Sequence, residues 1–579
     1  MLRFDFNGAM RRAPGLPGRL IPKVISRHAM QSSRRIFLAT VLVRAAIAVA
    51  AAVASASTGS DTAIATIAES TAAEPSPAGP AVSVGFSDIE FIGPFANWLD
   101  VQSSLGAKGD GVADDTAAIQ KGLDALYRYD SASGPATLYF PAGRYRITRT
   151  LHMRLHAGAN LVGAGASSTV LFWDGDPGGT MLLSSGAFDT LFTRLTWDGK
   201  GRARIGIAQW WNFSLERANY QGSIKHIDEI FQDLGIGISG GRLGADYGQG
   251  DSETLIQRVQ FIRNSIAGVN VGSFNALNWW IWDSRFVDCA RGLSNGWSID
   301  DKGETGGAGT FSVYRSQFLR STVADAFVGN TGWFAFYGNV SIGSRQFIRA
   351  LPNGANGGPI LAQNNRVIDT LEPDAIRVGN EGPLILLDNR FRSRGTAQSP
   401  AVLMETSGDV GDRDVVSLGN AFTVSPAIGL LHTRGRILSS DTVVDAGRIA
   451  ATMPNFPAPA PDFHRAVFEV KPGATGDQIQ AVIDAAIASG SENAVVHLPA
   501  GNYRLDRTLV VAANARVQIA GDSESTKLWW AGHAPDGTMV RLEGPSYATL
   551  RDLCLVGART TAIAVGNADQ PGGRIFIEG

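Results

Sequence analysis

Cysteine is nearly absent: the 579 residues carry only Cys289 and Cys554. Two thiols so far apart exclude a disulfide framework and read as small buried hydrophobes. Histidine is scarce at eight. There is no HExxH, no paired cysteine and no serine-centred elbow, which leaves zinc-hydrolase and esterase chemistry without support. Charge is thin as well: 18% of residues are charged, against about a quarter in ordinary domains. The net charge of -2 offers no reason to expect nucleic acid or an anionic membrane as partner. Long hydrophobic runs are missing too. The one near the N-terminus is Ala-rich, short and broken by Arg44, so it does not suit a membrane span.

What is abundant is glycine, 68 residues, within a chain that is 44% apolar. Low charge with much glycine suits a β-rich, turn-dense protein. The length calls for two folded units plus tails. Residues 1–56 read as an export region: Arg34 and Arg35 precede Phe37 and Leu38, then an Ala/Val run ends at Ala54-Ser55-Ala56. That order is similar to a twin-arginine signal with a small-residue cleavage site, implying a bacterial protein in the periplasm or outside the cell. Residues 57–85 are rich in Ser, Thr, Ala and Pro and read as a disordered linker.

Internal similarity organises the rest. "ATLYFPAGRYRITRTLHM" at Ala136–Met153 recurs as "AVVHLPAGNYRLDRTLVV" at Ala494–Val511. Each copy follows an amphipathic stretch, with Ile119, Leu123 and Leu126 on one face in the first and Ile479, Val482, Ile483 and Ile487 in the second. These predict a short N-terminal helix in each domain. The domains are expected at 86–450 and 466–579, joined by a Pro-rich linker at 451–465. A weaker rhythm fills the middle: short strands closing on Phe261, Phe286, Phe318, Val367, Phe391 and Phe422. The steps fall in the range of solenoid coils, about 20–50 residues. The same alignment stacks Asn365, Asn389 and Asn420 two places earlier, which predicts an asparagine ladder at a bend.

"GAKGDGVADDTAAIQ" from Gly106, followed by "LYFPAGRYRITRTL", resembles the start of pectate-lyase-superfamily right-handed parallel β-helices. The resemblance implies an all-β solenoid, and the tandem arrangement is similar to that of β-1,3-glucanases. A phosphate loop would need Gly-Lys-Ser/Thr where this chain has Asp-Asp-Thr. Asp114 or Asp115 instead suits the free N–H groups at a helix start, and the helix would cover the open end of the first coil. The second copy stops at Gly579 after few coils, so the second β-helix is expected to be incomplete.

Seven of the twelve tryptophans are Trp210, Trp211, Trp279, Trp280, Trp282, Trp297 and Trp333. Flat aromatic faces can stack on sugars; Trp279, Trp280, Trp297 and Trp333 are the substrate-binding candidates. Acids lie over the same stretch, and Asp251, Glu253, Asp300, Asp301 and Glu304 are the catalytic candidates. Paired carboxylates across a scissile bond are what a glycosidase needs. The leading expectation is thus an exported glycoside hydrolase, acting as a monomer on polysaccharide without a cofactor. Two alternatives stand beside it. One is a lyase or epimerase on uronates, with Ca2+ as a possible cofactor and candidates Lys225, His226, Arg258, Lys302 and Arg315. The other is a carbohydrate-binding surface or matrix protein. Arg258, Asp283 and Arg315 share a register and predict a structural ion-pair ladder.

Overall fold

The computed structural model describes residues 90–578, apart from the stretches 129–133, 211–220, 242–250, 273–275, 296–308, 330–331, 352–357, 380–381, 394–398, 406–413, 434, 533–536, 558–559 and 568–569. The export region and the disordered linker read from the sequence lie outside it.

The first β-helix is a stack of coils with three strands each, and every described ladder within it is parallel. Sheet A runs from Leu99–Asp100 through Phe188–Thr193, Gln221–Ile227, Trp279–Trp282 and Phe334–Tyr337 to Ile437–Val443. Sheet B starts at Asp110–Asp114 and includes Ile230–Gln232, Arg285–Val287 and Arg390–Arg392. Sheet C holds eleven strands, from Leu151–Arg154 to Ile428–Leu431. Alternation decides which residues fill the interior. In Trp279–Trp282 the burial pattern puts Trp279 and Ile281 inside, Trp280 and Trp282 outside.

Like residues stack on like. Phe231, Phe261, Phe286 and Phe318 occupy one register position, with ring centroids 5.4, 4.8 and 4.9 Å apart. The coil Val340–Ile342 breaks this column, and the sequence rhythm passes over it because its inward residue is Ser341. The space is taken by Asp325, whose carboxylate accepts from the Ser341 hydroxyl. Burial pushes the Asp325 carboxyl up to about 7, against the pull of Ser341, Ser344 and Ser321.

The asparagine ladder is present and longer than the sequence shows. Asn339, Asn365, Asn389 and Asn420 each send a backbone N–H and a side-chain amide to the next rung, ending on Asp441. Upstream, Ser284 and Ser316 continue the same column through their hydroxyls. The serine and asparagine rungs are all buried. Asn389→Ala would strip the acceptor from Asn365 and the donor from Ala362 and Asn420. The expected cost is about 3 kcal/mol or more, read as a lowered denaturant midpoint with an unchanged slope.

The opening Gly/Asp stretch shares its acids out among backbone donors. Asp114 accepts from the Thr116 N–H and both hydroxyls of Thr116 and Thr148. Asp115 turns back to the N–H groups of Lys108 and Gly109. The helix α1 (Thr116–Ala125) follows and buries Ile119 and Leu123. A Cβ on its Gly122 would meet Leu138 and Leu105 at under 3 Å, so the helix can lie close only with glycine there. Its counterpart α2 (Gly476–Ala488) begins with a capping box between Thr475 and Gln478.

The second β-helix has its own core around Ile479, Tyr503, Leu528 and Leu550. Its sheets hold five, three and three strands. Arg574–Glu578 pairs with Tyr547–Arg551.

Candidate functional site at the junction of the two helices

The Pro-rich segment between the helices is held against sheet B. Gln317 donates to the carbonyls of Pro454 and Asn455, Arg366 to that of Thr452, and Arg285 lies over the Phe456 ring. Further along, Ala460 bonds Asp228 and Arg194. The chain therefore runs back over the first helix and delivers the second beside its early coils.

The segment Glu90–Trp98 completes the joint. Glu90 is buried and takes Arg465, Asn493 and Gln518 as donors. Asn97 and Trp98 donate to Asp522 at 2.6 and 2.9 Å, and Phe95 stacks on His497 at 3.6 Å. His497 bridges Glu469 and Asp522. Burial lowers its pKa, but those two acids outweigh burial and raise it overall. For Asp522 burial works upward, and His497, Trp98 and Asn97 together bring it below the usual carboxylate range.

Ser525 of the second helix donates to the Gly158 carbonyl at 3.0 Å. Gly158 has φ +65, and a Cβ there would stand 2.9 Å from the Ser525 hydroxyl. That close approach brings Glu524 beside Asp189 of sheet A, and both line the same cleft. Asp189 sits at φ 49, a backbone state that Asp tolerates better than most residues. Burial first, then Glu524 and more weakly Glu253, push its carboxyl up to about 7; Lys225 pulls the other way. The Asp189 carboxyl therefore holds its proton up to about neutrality. Around it opens a half-open cleft of about 500 Å³, lined also by Arg194, Lys225, Asp228 and Cys554.

The residues picked from sequence fall in different places. Glu253 stands exposed at φ 62, accepts from Ser223 at 3.2 Å and reaches Asp189 electrostatically. Asp251 is wholly buried, and burial raises its pKa well above the ordinary value. Trp279 is also inside, packed over Gly240 and donating to the Asp251 carbonyl; it presents no face to solvent. Trp280 points outward and is half-buried, and Trp333 is exposed. Asp300, Asp301, Glu304, Trp297 and Lys302 lie outside the described residues. His226 is a core histidine between Glu229 and Gln209, with Trp197 on the other Glu229 oxygen. Arg258 and Arg315 pair with Asp228 and Asp283, as an ion-pair ladder would.

Sequence reading missed Asp189 and Glu524. They lie far apart in the sequence and in no motif, and only the docking of the two helices makes them neighbours. Among the described residues no group of three or more His, Cys, Asp or Glu side chains is arranged to hold a metal. No described helix is long and apolar enough to cross a membrane.

Comparison with known proteins bears on this frame. Residues 98–196 match the family model described as rhamnogalacturonase A/epimerase, pectate lyase-like. The mannuronan C5-epimerase AlgE2 of Azotobacter vinelandii is 36% identical over 118 residues, 18% of this chain and 11% of that protein. Alginate lyase 7 of the same organism is 38% identical over 72 residues, 12% of this chain and 8% of that protein. The chain thus spans about a tenth of the length of the curated relatives it matches. Among solved structures, the AlgE6 A-module from A. vinelandii aligns with TM-score 0.42 and 16% identity, over 60% of this chain and 93% of that one. The catalytic unit of an α-1,3-glucanase from Streptomyces thermodiastaticus aligns with TM-score 0.36 and 14% identity, over 84% and 68%.

Proposed function

We propose that this protein acts on a uronate-containing polysaccharide by proton transfer at C5 of the sugar, as an epimerase or lyase does. The observation that carries the reading is the placement of Asp189, its carboxyl pushed up to about 7 chiefly by burial, with Glu524 and Lys225 in one cleft at the junction. A base poised near pH 7 is suited to abstract a proton next to a carboxylate. Lys225 is placed to offset the uronate charge that grows as C5–H breaks. From there two outcomes balance. Return of a proton to the opposite face of C5 inverts the centre. Alternatively the electron pair forms C4=C5 as the C4–O4 bond breaks, and the departing oxygen takes a proton. The partial matches to a mannuronan epimerase and an alginate lyase favour the same chemistry. Hydrolysis by this pair is less well served. A glycosidase keeps its two carboxyls about 5–9.5 Å apart to admit the glycosidic bond or a water, whereas Glu524 is near enough to Asp189 to help raise its pKa.

Such a polymer lies outside the cytoplasm, and the Arg34-Arg35 segment fits export to the periplasm or exterior. The test is incubation of the full chain with polymannuronate and polygalacturonate in deuterated water. Deuterium at C5, or a new unsaturated product absorbing near the ultraviolet, is the expected result. New reducing ends without either would reverse the reading in favour of hydrolysis.

A further inference from the structure

The last coil of the first β-helix leaves its core positions open. At the other end of the stack α1 lays Ile119 and Leu123 on the core, both fully buried. In the last coil Ile437 and Val443 continue the inward columns of Val415 and Phe422, their register partners. Val415 and Phe422 are wholly buried, whereas Ile437 is 40% and Val443 62% exposed. Phe422 stacks on Phe391 with ring centroids 4.9 Å apart, so Val443 ends an aromatic column in solvent. Sheet C ends the same way: Val402 and Met404 are buried, but their partners Ile428 and Leu430 are only half-buried and Leu431 is exposed. The outer edges of Ile428–Leu431 and Ile437–Val443 pair with no other described strand. An apolar coil end with a free strand edge is a template for another strand.

That edge is complementary to itself. The strand reads "ILSSDTV", apolar at both ends and polar in the middle. Laid antiparallel on its own copy about Ser440, Ile437 meets Val443, Leu438 meets Thr442 and Ser439 meets Asp441. The two Asp441 carboxylates do not face each other, and each is already held by Asn420 and Ser417. Just outside the strand, Arg436, anchored on Asp414, comes beside the exposed Asp445 of the second copy. Like charges stay apart and opposite ones meet, as a stable antiparallel pair requires.

We infer that this coil end is an interface with a second copy of the chain, the two copies related by a two-fold axis through Ser440. Such pairing lets one patch satisfy itself and closes at the dimer. The strand has seven residues and spans about 23 Å. Two faces of that width bury on the order of 1,000 Å², the low end for a specific interface, so the dimer is reversible and of micromolar strength. This departs from the monomer expected from the sequence. It is independent of the proposed reaction, because the junction cleft lies on the early coils and stays open in the dimer.

The test is the mass of the full chain by sedimentation equilibrium from submicromolar to tens of micromolar concentration. A shift from monomer to dimer, and no further, is expected. Val443→Lys puts a charge on the open core position and should weaken the dimer at least about tenfold, with the circular dichroism and melting of the parent retained. Ser440→Cys, in a Cys554→Ser chain, sets two thiols opposite each other on the axis and should yield a covalent dimer on mild oxidation. Leu371→Cys, which is 57% exposed but away from this end, should not. A chain that is monomeric throughout, a dimer that Val443→Lys leaves as strong as the parent's, or assembly that grows past two copies would each overturn the interface. A dimer that Val443→Lys dissolves but Ser440→Cys fails to cross-link would overturn the two-fold register.

Discussion

Asp189→Asn is expected to lower turnover of the responsive polyuronate by about 10²- to 10⁴-fold, the range of a lost general base, while the fold stays intact. The amide keeps the size of the carboxyl but cannot accept the C5 proton. The pH profile carries the sharper information. With the Asp189 carboxyl at about 7, the basic form accumulates as pH rises, so activity should climb through neutrality. Glu524→Gln removes the neighbouring charge that helps hold that value up. The rising limb should then move to lower pH. Lys225→Ala removes the opposing cation and should move it to higher pH. Shifts in these opposite directions would not arise if the pair only glued the domains together. Initial rates between about pH 5 and 9 for the three variants decide the matter, and an unmoved limb in both neighbours would remove Asp189 from the reaction.

The second large effect concerns the joint. Asp522→Ala should detach the second β-helix and cost about 3–5 kcal/mol, the usual penalty for leaving a buried partner uncompensated. Asn97, Trp98, His497 and the Ala500 N–H all converge on this carboxylate. The pH dependence runs in both directions. His497 has its pKa raised in the folded state, so its contribution is full below its unfolded value near 6.5 and fades as pH rises through the folded one. Asp522 has its pKa lowered, so its contribution is full above about 3.9 and fades as pH falls through the folded value. The joint should be strongest in mildly acidic solution. Thermal unfolding of the parent and the variant across pH, together with protease sensitivity of the 454–463 segment, measures it. A variant with the parent's melting profile would mean that Glu90 and its donors hold the joint alone.

These two predictions differ in how far the sequence could reach them. The coil stack was legible because a solenoid writes its tertiary contacts into its period. Phe261, Phe286 and Phe318 recur because each packs on its copy one coil away, and Asn365, Asn389 and Asn420 recur because each bonds its copy. The same logic explains the lapse at Ser341. A position that solves its packing with a buried Asp325 instead of a phenyl ring carries no periodic mark. Strand alternation was equally local, yet reading Trp279 and Trp280 together as sugar-binding candidates ignored it. Trp279 faces the core and Trp280 faces out, so only the second is available to a ligand.

The sequence by itself determined the all-β solenoid, its helical starts and the coil register, since those depend on neighbours one period away. The tertiary structure alone decided where the chemistry gathers. Asp189 and Glu524 carry no motif and belong to coils packed around different cores. They meet because the 454–463 segment runs back along sheet B and Gly158 lets Ser525 approach closely. A contact between surfaces of two separately packed cores leaves no period or spacing in the chain, and so it can be read only from the folded molecule.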